Sequence, residues 1–95
     1  MKMLFVDDIR VPQLKDDIEV VRNYNDAISC LKNNTYDYIS LDHDLGEDKT
    51  GYDIAKYIVE NQIQLNGFRV HSANPVGRFN IVQLLTHYGY KEIYW

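Results

Sequence analysis

Ser40-Leu41-Asp42-His43-Asp44-Leu45-Gly46 sets two carboxylates and an imidazole in consecutive positions at the end of a hydrophobic run. Those groups can hold a divalent cation or move protons near neutral pH. Two further polar clusters close other apolar runs: Asp7-Asp8 with Arg10, and His71-Ser72 with Asn74 and Arg78. Strands bury their apolar sides and expose chemistry at their ends, and an open α/β sheet places its ligand at the carboxyl ends of its strands. Acids, histidines and arginines at three separate strand ends therefore imply one site.

The elements that must position these residues follow from apolar periodicity. Met3-Leu4-Phe5-Val6 is a short buried strand, and Ile18-Glu19-Val20-Val21-Arg22 is a second β-branched run. Asn25 is the expected cap of a helix that turns Ala27, Ile28 and Leu31 inward and stops at Asn33-Asn34. Tyr38-Ile39-Ser40-Leu41 makes a third strand. Thr50-Gly51-Tyr52-Asp53 has the form of a capping box before a helix carrying Ile54, Ile58 and Val59. Phe68-Arg69-Val70-His71 is a fourth strand. Asn74-Pro75 opens a helix with a Phe79, Ile81, Val82 and Leu85 face and Gly89 just past its end. Residues 91–95 are expected to close the chain as a fifth strand, with Tyr94-Trp95 as an edge or dimer surface.

The order β-β-α-β-α-β-α-β predicts a single-domain α/β protein over residues 1–95. It is a flavodoxin-like, doubly wound parallel sheet of five strands with helices on both faces. Residues 8–17 are too few for an ordinary crossover, so the first helix is expected to be lost or reduced to a turn near Val11-Pro12.

In that topology the first and third strands are neighbours, which brings Asp7, Asp8 and Asp42 within reach of each other. Clustered carboxylates repel unless something neutralises them, and a hard cation such as Mg²⁺ or Mn²⁺ is the usual partner. The plainer alternative is that one acid caps a turn and the others are solvated. His71 can act as acid, base or ligand, or can orient an aspartate. His43 alternates with Asp42 and Asp44 and should point the other way while the strand pattern lasts. His87, late in its helix, reads as a surface residue or a dipole partner. Asn74-Pro75-Val76-Gly77-Arg78 joins helix N–H groups, a glycine and a guanidinium, a set that suits phosphate. The alternative there is a well-capped helix with a solvated arginine. With Arg10 added, the set suggests a small phosphate-containing ligand bridged by metal.

Composition narrows the classes. Ninety-five residues, 45% of them apolar, suit one modest core, to which homodimer formation would add burial. The net charge of −4 argues against long nucleic acid as a partner, and no run approaches the roughly 18 apolar residues of a membrane span. No signal peptide is in view. Cys30 stands alone in a helical segment, so it reads as a packed thiol in a reducing, cytoplasmic setting. Most of the eight tyrosines are expected at the edges of the core.

Asp7-Asp8, Asp42, Thr50-Gly51-Tyr52-Asp53 and Ser72-Ala73 resemble, in order and spacing, the receiver domain of response regulators. Leu41-Asp42-His43-Asp44-Leu45-Gly46 together with His71-Ser72-Ala73-Asn74-Pro75-Val76-Gly77-Arg78 is similar to the cyclic-phosphate-processing receiver family, over nearly the whole chain. The resemblance implies a receiver-like fold, with Asp7 and Asp8 as metal-binding acids. Asp42 would be the counterpart of the phosphoacceptor, and Ser72 would stand where a receiver has its switch hydroxyl. An ordinary receiver has a lysine at the carboxyl end of its last strand, whereas Lys91 precedes that strand here. His43, Asp44, His71 and Arg78 are extra to a phosphorelay site.

The expected function is metal-dependent hydrolysis of a cyclic phosphate, either a cyclic nucleotide or a 2′,3′-cyclic RNA end. His71, His43 and Asp44 form the expected catalytic set, and Asp7, Asp8 and Asp42 the metal set. Arg10, Ser72, Asn74, Gly77 and Arg78 form the phosphate-binding set. The rival readings are a silent receiver-like module that binds a nucleotide or protein, and a signalling domain phosphorylated on Asp42.

Overall fold

Seven elements are seen in a computed structural model that describes residues 2–10, 12 and 17–94: β1 (Met3–Val6), β2 (Ile18–Val21), α1 (Tyr24–Asn33), β3 (Tyr38–Leu41), α2 (Gly51–Glu60), β4 (Gly67–Val70) and α3 (Pro75–His87). The strands pair in parallel in the order β2-β1-β3-β4, so β1 and β3 do lie side by side. The register is even throughout. Phe5 lies opposite Val20 and Ser40, and Ser40 opposite Arg69.

The handedness of parallel crossovers decides where the helices go. The steps from β2 to β3 and from β3 to β4 run in the same direction across the sheet, which places α1 and α2 on the same face. α3 packs beside α2, and α2 also touches α1. All three helices therefore cover Leu4, Val6, Ile39, Leu41, Phe68 and Val70 as one layer. Ala27 and Leu31 of α1, Ile54, Ala55 and Ile58 of α2, and Ile81 and Leu85 of α3 complete that core. Fully burying such aliphatic side chains contributes roughly 1.5–3 kcal/mol each. This corrects the expectation of helices on both faces. Only the step from β1 to β2 runs the other way, and no helix is found among the described residues of that connection. Val11, part of the turn expected there, lies outside the described residues.

Capping chemistry sets the helix ends, with one correction. Asn23, not Asn25, caps α1: its side chain accepts the N–H of Asp26. Asn23 Nδ2 donates back to Asp26 Oδ2 at 3.0 Å, and Glu47 from the β3–α2 loop accepts the Tyr24 N–H at 2.8 Å. The capping box at Thr50 and Asp53 is formed, and Asn74 caps α3 with Pro75 at its first position. Gly89, at φ +91°, follows the end of α3. Phe79 is not on the core face of α3. It is 62% exposed, because Gly77, Ile81 and Leu85 already fill the inward stripe.

The expected fifth strand is also corrected. Residues 91–94 make a single parallel bridge, Glu92 to Phe68, closed by bonds from Phe68 N–H to the Lys91 carbonyl and from Ile93 N–H to the Phe68 carbonyl. Ile93 lies so close to Gly67 that a Cβ there would stand 2.7 Å from its Cγ2. The Glu92 side chain is turned toward Arg78. Tyr94 is exposed, as an edge residue would be. Trp95 lies outside the described residues. The Cys30 thiol is half-buried against the core and pushed up in pKa by burial, as suits a packed thiol.

Candidate functional site

One register row beyond the carboxyl ends of β1, β3 and β4 stand Asp7, Asp42 and His71. Each lies two positions past a matched residue (Phe5, Ser40 and Arg69), so alternation turns all three side chains to one face. The backbone ladder carries on into this row. Asp42 N–H donates to the Val6 carbonyl and His71 N–H to the Leu41 carbonyl, both at 3.0 Å. One ligand atom from each side chain lies within 4.8 Å of the others.

Asp7 is fully buried, and the chain around it is arranged to keep it ionised. Its Oδ1 accepts the N–H groups of Ile9 and Arg10 at 3.0 and 2.9 Å, and its Oδ2 lies 2.9 Å from His71 Nε2. Burial alone would raise this carboxyl, but those donors outweigh it and hold the group below its ordinary value. Arg10 Nη1 sits 3.8 Å from Asp7 Oδ2 and donates to the His71 carbonyl at 2.7 Å, joining two strand ends. Asp42, by contrast, is buried with no hydrogen bond to its carboxylate from any described residue.

Both ring nitrogens of His71 are engaged. Nε2 meets Asp7, Nδ1 lies 2.7 Å from Ser40 Oγ, and the ring stacks on Phe5 at 4.5 Å between centroids. Burial holds this imidazole below its usual pKa despite the nearby carboxylates of Asp7 and Asp42. An ionised carboxylate only accepts, so Nε2 carries a proton toward Asp7, and in a neutral ring Nδ1 accepts from the Ser40 hydroxyl.

Asp8 falls outside the row. It follows the last ladder bond of β1 and turns toward Gly46, where a Cβ would stand 3.1 Å from its Oδ2. His43 also leaves the row, as alternation requires. Its ring lies against Gly77, and its Nδ1 is 2.9 Å from Asp44 Oδ1. That contact holds the Asp44 carboxyl below its ordinary value. No described residue bonds His43 Nε2. Asp44 reaches Asn74 across the two loops at 3.5 Å.

Much of the phosphate set is already bonded within the fold. Asn74 accepts the Gly77 N–H at 3.0 Å, and Ser72 Oγ accepts the Asn74 N–H at 3.0 Å. Arg78 pairs with Glu92 at 2.9 Å. Lys91 lies beside Phe68, in the first half of β4 and away from the acidic row.

Three residues at the site were not singled out from the sequence. Arg22, one position past β2, donates to the carbonyls of Asp7 and Arg10 and fixes the loop after β1. Its position at a strand end was the available signal. Ser40, a buried hydroxyl within an apolar strand, was another. Gly51 lies against the Asp42 carbonyl so closely that a Cβ would stand 2.1 Å from its oxygen. The start of α2 thus packs directly on the row.

A family model described as the cyclic-phosphate processing receiver domain matches residues 2–87, which span the whole row and both loops around it. No curated protein matches the chain.

Proposed function

Because this chain belongs to the cyclic-phosphate processing receiver domain family, we propose that it is a metal-dependent phosphoesterase that opens a cyclic phosphate. The substrate would be a cyclic nucleotide or a 2′,3′-cyclic RNA end. The observation that carries this reading is the pairing of Asp7 and Asp42 in one row, with no donor from the described residues on the Asp42 carboxylate.

The donor set fits a hard divalent cation. Two buried carboxylates stand at adjacent strand ends, and oxygen donors suit Mg²⁺ or Mn²⁺. Asp42 and Asp7 would hold the ion, whereas Asp8 is turned toward Gly46. When bound, the cation would supply Lewis-acid stabilisation of phosphate charge.

The chain's own residues would do the rest. Hydrolysis adds water across one P–O ester bond. The attacking water loses a proton, the leaving alkoxide gains one, and a phosphate monoester results. His43 would carry the proton, since Asp44 accepts from its Nδ1–H and no described residue bonds its Nε2. His71, with both nitrogens bonded, would serve by holding Asp7. Arg10 and Arg78 would bind the phosphate, aided by the capped N-terminus of α3.

The test is a panel of 3′,5′- and 2′,3′-cyclic nucleotides and cyclic-ended RNA, incubated with Mg²⁺ or Mn²⁺ and followed for monoester release. His43→Ala, assayed well below its melting temperature, should cost about 10²–10⁴-fold in turnover. Binding of any panel member with no hydrolysis under either metal replaces the enzyme with a binding module. Stoichiometric phosphorylation of Asp42 by acetyl phosphate would favour the signalling reading instead.

A further inference from the structure

A hydroxyl in the middle of a buried parallel strand is costly unless it is bonded. Ser40 is fully buried in β3, flanked by Ile39 and Leu41 and facing Phe5 across the ladder. Its Oγ has one side-chain partner, His71 Nδ1 at 2.7 Å. From there the chain of bonds runs through the ring to Nε2 and on to Asp7 Oδ2 at 2.9 Å. It therefore crosses β3, β4 and β1 in turn. The ring between them is 6% exposed and stacked on Phe5, with planes 8° apart. Stacking fixes the plane of the ring but allows the 180° flip about Cβ–Cγ that exchanges its two edges. The two terminal hydrogen bonds remove that freedom.

We propose that Ser40 is a positioning residue: by donating to His71 Nδ1 it holds the ring as the Nε2–H form, and through that N–H it fixes the Asp7 carboxylate. His71 is then a holder of Asp7 and not a ligand of the cation. The consequence for metal binding rests on the phosphoesterase reading; the consequence for the ring does not. The Asp7 carboxylate so held has an oxygen within 4.8 Å of one from Asp42. A ligating His71 would have to shed its Nε2 proton and give up Asp7, leaving that fully buried carboxylate with one side-chain donor fewer. Groups that orient a ligand in this way typically change metal affinity by about 10- to 100-fold when removed.

Two measurements test this, on wild type, Ser40→Ala and Ser40→Thr. The first is nitrogen-resolved NMR of the imidazoles in metal-free protein. Wild type should show His71 protonated on Nε2, with that proton slow to exchange. Ser40→Ala should lose the slow exchange, and Ser40→Thr, which keeps the hydroxyl, should restore it. A proton on Nδ1 in the wild type, or unchanged slow exchange in Ser40→Ala, overturns the proposal. The second measurement is calorimetric titration with Mg²⁺ and Mn²⁺. Ser40→Ala should bind about 10- to 100-fold more weakly, with Ser40→Thr close to wild type, and the His71 Nε2–H signal should persist at saturation. Loss of that signal on adding metal makes His71 a ligand and overturns the proposal. If wild type binds neither cation, the phosphoesterase reading fails, and the positioning role of Ser40 stands or falls on the metal-free spectra.

Discussion

The His43 ring lies directly against the backbone of Gly77, and a Cβ at Gly77 would stand 2.3 Å from its Cγ and 2.7 Å from its Nδ1. The first buried turn of α3 is therefore the surface on which the imidazole rests. The pair ties the loop after β3 to the helix after β4.

Gly77→Ala should cost about 1–3 kcal/mol by overpacking, because both sides of the contact are held in place. In a His43→Ala background the same substitution should become neutral, or stabilise by up to about 1 kcal/mol through reduced chain entropy. Urea unfolding of the four proteins in the cycle measures the coupling. Additive effects would show that the ring and the glycine do not support each other.

Removing the Asp42 carboxylate should separate charge repulsion from metal binding. Mg²⁺ at about a hundred times its Kd adds roughly 2.7 kcal/mol, which is on the order of 10 °C for a domain of this size. Asp42→Asn should abolish most of that rise while leaving the metal-free melting temperature equal or higher, since Asp7 loses a like-charged neighbour. Differential scanning fluorimetry with and without Mg²⁺ reads both effects. An equal Mg²⁺ shift in the two proteins would remove Asp42 from the metal set.

Acid should weaken the fold partly through Asp53. The Thr50 N–H donates to its carboxylate at 2.8 Å and outweighs burial, and Lys56 Nζ is 3.3 Å away, so its pKa lies below the ordinary value. A group lowered by folding stabilises the protein fully above its unfolded pKa, about 3.9, and loses that contribution as pH falls through the folded value. Asp53→Asn should thus be less stable than wild type at pH 6, and the gap should close toward pH 3. Thermal melts that run parallel across this range would contradict the assignment.

Arg78 is already held by Glu92, whose other oxygen accepts the Tyr94 hydroxyl at 2.8 Å. A phosphate must compete with that carboxylate for the guanidinium. Glu92→Gln should tighten binding of a nucleoside phosphate by about three- to tenfold, and Arg78→Ala should weaken it by about tenfold or more. Equal affinities across the three proteins, measured by calorimetry, would place the phosphate elsewhere.

How much of this was legible in the sequence depended on whether the deciding contact was local. The strands after which Asp7, Asp42 and His71 stand were readable as short apolar runs with polar ends, and the caps at Thr50 and Asn74 lie within four residues of the groups they bond. The Asn23 cap was also local, since Asn23 and Asp26 bond each other three residues apart, and the Asn25 reading overlooked that spacing. The exposed Phe79 fitted the apolar count of α3 as well as Ile81 does; only packing told them apart. The fifth strand was legible only as far as one bridge, because β-rich residues alone do not guarantee a ladder. Alternation predicted that His43 would turn away from its neighbours, yet its resting place on Gly77 depends on the fold.

Because Asp7, Asp42 and His71 share one row, the backbone separation of each neighbouring pair is set by strand spacing, about 4.8 Å in any sheet, and Asp7 and His71 stand two strands apart. Loop remodelling cannot widen or narrow that gap; only strand pairing can. A slip of β4 by one residue would bring Val70 or Ser72 into the row and rotate His71 onto the helix side. The same slip would drive Phe68 and Val70 out of the core, so mispaired chains lose the apolar layer and the acidic row together. Selection of the hydrophobic register during folding is therefore also quality control on the chemistry, and a protein that has packed its core has already aligned its carboxylates.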